Sequence, residues 1–219
     1  MSQKTDGLHA LLSHPKVYDL LQNLLGAKRS RARLIKDHIR PRAGDRILDI
    51  GCGTGELFAQ MPDGIQYVGF DLSEEYVLAA RARHGERARF ECMDVADYRV
   101  DGGEQQKADL VLAIGILHHL DDDRARALMR TAHAALKPGG RFISLDGTYI
   151  QGQSAIAHAL IARDRGKSIR TPDAYLALAQ AEFAVARGQV RGDMLFVPYT
   201  HYIMECVREA DTRHDQERQ

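Results

Sequence analysis

Residues 45–56 read Asp-Arg-Ile-Leu-Asp-Ile-Gly-Cys-Gly-Thr-Gly-Glu, and this stretch restricts the fold more than any other. Ile47, Leu48 and Ile50 form the short apolar run of a buried strand. Gly51, Gly53 and Gly55 then permit a sharp turn and a close approach of backbone to ligand, since no Cβ intervenes. A helix beginning near Glu56 would point its unpaired N–H groups into the same space. Strand, glycine loop and helix in this order form the junction at which open parallel sheets bind nucleotide-like ligands. The spacing narrows the choice. A dinucleotide loop reads G-x-G-x-x-G/A, its last small residue permitting tight helix–strand packing. Counted from Gly51, that place holds Glu56, which opposes a dehydrogenase that uses NAD.

The remaining chain supplies a sheet for this loop. Further strands are predicted at 66–70, 89–92, 110–114 and 141–145, alternating with helices in the manner of a parallel, doubly wound α/β sheet. Ser73 is a suitable N-cap for a helix through Arg83. Asp121 or Asp122 should start another that runs to about Leu136 and stops at Lys137-Pro138-Gly139-Gly140. Two helices, 155–163 and 172–180, form an insertion, and strands at 183–191 and 201–207 complete a mostly parallel seven-stranded sheet. Ahead of it, Leu8, Leu11 and Leu12, then Val17, Leu20, Leu21, Leu24 and Leu25, recur at helical spacing, with Pro15 starting the second helix. A third helix at 31–40 should end before Pro41. The expected organisation is one domain: helical cap 1–44, core 45–146, insertion 147–182, last strands 183–208 and a polar, frayed tail 209–219.

Composition removes several classes. Lys+Arg and Asp+Glu both total 30, which gives no reason to expect nucleic acid. The one basic run, Lys28 to Arg46, reads as a solvated helix face. No apolar stretch is long enough for a membrane span, and the start lacks the order of a secretory signal. Cys52, Cys92 and Cys206 form no C-x-x-C, so zinc and disulfides are not indicated, and a cytoplasmic location fits. No G-x-S-x-G, H-E-x-x-H or P-loop is present.

Chemistry concentrates in three further places. Asp71 ends the second strand about 20 residues beyond the loop, where a carboxylate can accept from ribose hydroxyls. Phe90-Glu-Cys-Met-Asp94-Val-Ala-Asp97 offers two acids just after the third strand. Ala108 to Leu120 reads as a fourth strand and its loop. The loop G-x-G-x-G resembles motif I of the class I S-adenosylmethionine-dependent methyltransferases. The four signals, over Asp45 to Leu145, follow that family's order. The resemblance implies S-adenosylmethionine as cofactor. Asp49, Gly51, Cys52, Gly53 and Gly55 would lie at its methionine end, Asp71 at its ribose, Ile114 beside the methionine part, and Leu72 would also touch the cofactor. Asp94 would accept from the adenine amino group and the Val95 N–H would reach the ring, with Asp97 as competitor to Asp94.

The acceptor side is less determined. Where nucleic-acid amino-methyltransferases carry Asn/Asp-Pro-Pro-Tyr/Phe, this chain has Ala-Ile-Gly-Ile-Leu-His-His, so base methylation is not expected. The sequence is similar to bacterial methyltransferases of natural-product and surface-glycan biosynthesis, which implies a small-molecule, metabolite or sugar-like acceptor and methylation at oxygen. A scaffold protein that binds the cofactor without catalysis is the rival reading. The insertion is the expected substrate lid, with Asp146 at a strand's carboxyl end and Tyr149 near it. Arg163, Arg165, Lys167 and Arg170 outnumber Asp164, and suit either an anionic substrate or a solvated helix end. His118 and His119 stand near Asp121, Asp122 and Asp123, but neighbours on a strand end point apart, so no metal is expected. His119, rather than His118, would face the pocket as a proton acceptor, with structural packing of the pair as the competing account. Oligomeric state is not legible, although the N-terminal leucines offer a face for pairing.

Overall fold

Alternate residues of the central strands pack into two separate cores, one on each face of the sheet. In β1 (Arg46–Ile50), Ile47 joins one core while Leu48 and Ile50 join the other. β4 (Ala108–Ile114) repeats this, with Leu110 and Leu112 on the first face and Val111 and Ala113 on the second. In this computed structural model, residues 25–94, 97–98, 106–164 and 166–209 are described. The helices foreseen from Leu8 to Leu24, the tail from residue 210, Val95 and Arg165 lie outside them.

The other strands are β2 (Gln66–Asp71), β3 (Arg89–Cys92), β5 (Leu136–Gly147), β6 (Val185–Arg191) and β7 (His201–Val207). The sheet order is β3-β2-β1-β4-β5-β7-β6. β1 to β5 run parallel, and β7 is antiparallel to both β5 and β6. The order reverses beside β1, so the carboxyl ends of β1 and β4 open a crevice there.

Five α-helices are described: α1 (Ala27–Leu34), α2 (Glu74–His84), α3 (Asp122–Ala135), α4 (Ala155–Ala162) and α5 (Pro172–Gln180). Four begin with a side-chain cap: Ser73, Asp121, Ser154 and Thr171 each accept from the backbone N–H three residues on. Ala125, Leu128, Met129, Ala132 and Ala135 give α3 the apolar stripe it lays on the sheet. α5 brings Tyr175, Leu178 and Ala179 to the same core.

Three expectations need correction. No α-helix follows the glycine loop; a single 3-10 turn, Phe58–Gln60, takes its place. Pro62 explains this, because it pushes Met61 to extended backbone (φ −73°, ψ 149°) and leaves too few residues to nucleate a helix. The helix foreseen at 31–40 begins earlier, at Ala27, and ends in a π-helical turn, Ile35–Ile39. Lys137 to Gly140 does not separate helix from strand but forms an irregular opening of β5, where its register with β4 shifts between Ala108 and Leu110.

The basic run also differs from a solvated face. Arg33 pairs with Asp193 at 2.9 Å, Arg40 with Glu205 at 2.6 Å, and Arg31 with Glu56 at 3.4 Å. Glu205 of β7 also meets His38 Nδ1 at 2.6 Å. These contacts fasten α1 and its π-turn to β7, to the glycine loop and to the loop after β6. None was visible locally, since the partners are far apart in sequence.

Candidate active site

At the crevice, all three loop glycines adopt positive φ: 77° at Gly51, 55° at Gly53 and 74° at Gly55. A Cβ on Gly53 would meet nothing, so the loop faces open space there. One on Gly51 would lie 3.1 Å from Ile116, which brings the loop after β4 against the glycine loop. The Cys52 thiol points inward instead. A Cβ on Gly69 would stand 2.8 Å from its Sγ, and burial pushes that thiol far above its ordinary pKa.

Asp71 holds the loop. Its Oδ2 accepts from Gly53 N–H at 2.9 Å and its Oδ1 from Ser73 N–H at 2.9 Å. Each oxygen retains a lone pair for a further donor. Leu72 beside it is 67% exposed, an apolar side chain left at the crevice. Met93 N–H donates to the Asp71 carbonyl at 3.1 Å, which carries Asp94 close to the same edge. Asp94 is half-buried and Asp97 exposed.

Beneath the loop, Asp49 is buried and accepts from the Tyr67 hydroxyl through Oδ2, while its Oδ1 has no partner. Burial, only partly offset by that hydrogen bond, raises its pKa to about 7. Ile114 ends β4 on the same side of the sheet, half-buried.

The second half of the site is the turn Leu117–His119, a 3-10 turn rather than a strand end. The argument that the two histidines point apart therefore fails, for their ring centroids are 4.1 Å apart. His118 is buried and His119 exposed. His118 Nδ1 lies 2.8 Å from Asp146 Oδ1 and must donate, because a carboxylate only accepts. Its Nε2 stands 3.6 Å from Asp164 Oδ1, and Tyr199 donates to Asp164 Oδ2 at 2.6 Å. Burial disfavours the imidazolium, but Asp146 and Asp164 outweigh it and raise the His118 pKa to about 9. Asp146 Oδ2 is buried without a partner. Burial lowers the neighbouring His201 to about 4, leaving it a neutral ring.

Asp164, Tyr199 and His201 were not foreseen as site residues. Asp164 registered only as the lone acid in a basic segment, Tyr199 only as part of the connection between the last strands, and His201 only as the first residue of the last strand. Of the basic cluster, Arg170 is engaged inside the fold. It donates to Leu117 O at 2.9 Å, Leu120 O at 2.8 Å and Asp122 Oδ1 at 2.8 Å, which removes it from the cations available to a substrate. Arg163 is exposed at the end of α4. Tyr149 is half-buried, its ring 5.1 Å from His158. A groove of about 970 Å³ follows the β3 edge between Arg81 and Arg89 and is lined by none of the loop glycines, Asp71, His118, His119 or Asp164.

Residues 48–142 match the family model of a methyltransferase domain. The sheet order and the glycine loop agree with this match over that segment. The chain is 32% identical over 117 residues to a ubiquinone biosynthesis O-methyltransferase of Idiomarina loihiensis, covering 51% of this chain and 46% of that protein. It is 32% identical over 136 residues to the 27-O-demethylrifamycin SV methyltransferase of Amycolatopsis mediterranei, covering 58% and 48%. It thus spans about half the length of the curated relatives it matches. Among solved structures, a Haemonchus contortus phosphoethanolamine N-methyltransferase bound to phosphomonomethylethanolamine and S-adenosylhomocysteine superposes with a TM-score of 0.71. That likeness, at 16% identity over 93% of this chain and 59% of that one, concerns the fold alone.

Proposed function

We propose that this chain binds S-adenosylmethionine and methylates an oxygen of a small-molecule acceptor. The observation that carries the reading is the double anchoring of Asp71, whose carboxylate fixes Gly53 and still offers lone pairs to a ribose. The unpartnered Asp49 Oδ1 supports it, because a buried acceptor beside an open glycine loop suits the ammonium of a methionine moiety. Gly51, Gly53 and Gly55 would border that moiety with Ile114, and Cys52 would contribute backbone only. Leu72 would cover the adenine, and Asp94 would accept from its amino group, with Val95 beside it. The cofactor supplies an already activated methyl group, so the protein's part is mainly alignment of the acceptor. The absence of an α-helix N-terminus after Gly55, among the described residues, weighs against a pyrophosphate and hence against NAD.

On the acceptor side, Asp146 Oδ2 would accept from the substrate, Tyr149 and the insertion would cover it, and deprotonation would fall to the exposed His119. The names of the two relatives support oxygen as the methylated atom. Arg163, with Arg165, would read an anionic group on the acceptor. Mass spectrometry of reactions with phenolic, sugar-like and macrocyclic hydroxyl acceptors should show a gain of one CH2. If no acceptor gains it while S-adenosylhomocysteine binds, the chain is a cofactor-binding scaffold. Full turnover by R163M with anionic acceptors removes the anionic part of the reading.

Asp49 adds a pH dependence. Its folded pKa, about 7, lies above the ordinary carboxylate value of about 3.9, so its stabilising contribution is complete below pH ~3.9 and is lost as pH rises through 7. The cofactor's ammonium favours the ionised form. Affinity for S-adenosylhomocysteine should therefore rise between pH 5.5 and 8, by roughly tenfold. Calorimetry across that range checks it; an equally steep rise in D49N would assign the effect elsewhere.

A further inference from the structure

We infer that His118, His119 and Asp164 form a binding site for a divalent first-row transition-metal ion at the acceptor end of the crevice. One ligand atom from each lies within 4.8 Å of the other two. The separation of His118 Nε2 from Asp164 Oδ1, 3.6 Å, is too long for a hydrogen bond. It is close to the distance between two ligands on one ion, since bonds of about 2.1 Å place neighbouring donors roughly 3–3.5 Å apart. His119, in the same turn, places the third donor within 4.8 Å of both.

The surroundings are those that metal ligands require. A ligating histidine commonly donates its other ring N–H to a carboxylate, which fixes ring and tautomer. His118 does so to Asp146 at 2.8 Å, and an ion bound at Nε2 would displace the second ring proton to solvent. Asp164 is oriented in turn by Tyr199 at 2.6 Å and by Gly166 N–H at 3.2 Å. Two imidazoles and one carboxylate select zinc, cobalt, nickel or ferrous iron over magnesium or calcium, which take oxygen donors. Three protein ligands on one side leave positions open. An acceptor hydroxyl bound there would have its pKa lowered and lose its proton to solvent. His119 would then be a ligand and not a direct base. This use of the ion rests on the methyltransferase reading; the binding site itself does not.

The test uses untagged full-length protein stripped with a chelator and titrated with Zn2+ by calorimetry and with Co2+ by visible absorption. One equivalent should bind, with a ligand-field spectrum of mixed nitrogen and oxygen donors. H119Q, at an exposed position, and D164N should each weaken binding at least about tenfold, Y199F somewhat less, and H133Q, remote from the cluster, not at all. S-adenosylhomocysteine affinity, measured on the same samples, should be unchanged in H119Q. No uptake by the wild type at ~100 µM metal, or equal uptake by H119Q and D164N, overturns the metal site. Loss of S-adenosylhomocysteine binding in the wild type with metal binding intact overturns the functional reading alone.

Discussion

Asp71→Ala should lower S-adenosylhomocysteine affinity by about 100-fold or more while leaving the protein folded. Two effects combine. The two anchored N–H groups, Gly53 and Ser73, lose a shared carboxylate at 2.9 Å each, so the loop is no longer held in its positive-φ course. The ribose loses its charged acceptor as well, and a hydrogen bond to a charged group contributes roughly 1.5–3 kcal/mol. Two such losses amount to two or more decades. Asp71 is only half-buried, and Ser73 caps α2 through its own hydroxyl, so the helix survives. Calorimetric titration together with circular dichroism checks the result; a variant that binds within threefold of wild type would remove Asp71 from the site.

Arg170→Met should have the largest effect on stability. The guanidinium ties the insertion to the turn Leu117–His119, and its side chain is only 9% exposed. Its removal leaves the Leu117 and Leu120 carbonyls without that donor in a partly buried place, a loss on the order of 3 kcal/mol. The midpoint of thermal unfolding should fall by roughly 6–12 °C. Its bonds end at the acceptor half, so S-adenosylhomocysteine affinity should change less than about threefold while turnover falls more than tenfold. Unaltered thermal stability would mean that solvent replaces the guanidinium at no cost.

What the sequence disclosed was mostly local. Seven strands followed from apolar runs bounded by turn residues, and Ser73, Asp121 and Pro172 marked helix starts through contacts three residues away or fewer. Asp71 was legible for the same reason, its spacing from the glycine loop being set by one crossover. The helix after Gly55 was misjudged because the loop pattern outweighed Pro62, a breaker only seven residues on. His118 and His119 were misjudged because their geometry was taken from a strand end, whereas Gly115 (φ 73°) turns the chain into a 3-10 turn. Asp164 and Tyr199 reach His118 from residues distant in the chain, and no periodicity encodes such a meeting. The same holds for Arg33 with Asp193, which are 160 residues apart.

The two ends of the crevice, proposed to hold the methyl donor and the acceptor, are therefore different in kind. One is a backbone cradle set by glycine and two aspartates, and the other is a set of titratable side chains gathered by the insertion. The proposed function depends on the first. Isothermal titration of the full chain with S-adenosylhomocysteine and, separately, with NAD tests it most directly. It predicts one S-adenosylhomocysteine per chain with a dissociation constant of about 10 µM or tighter, and no heat from NAD at ~1 mM. Saturable binding of NAD with none of S-adenosylhomocysteine would contradict it.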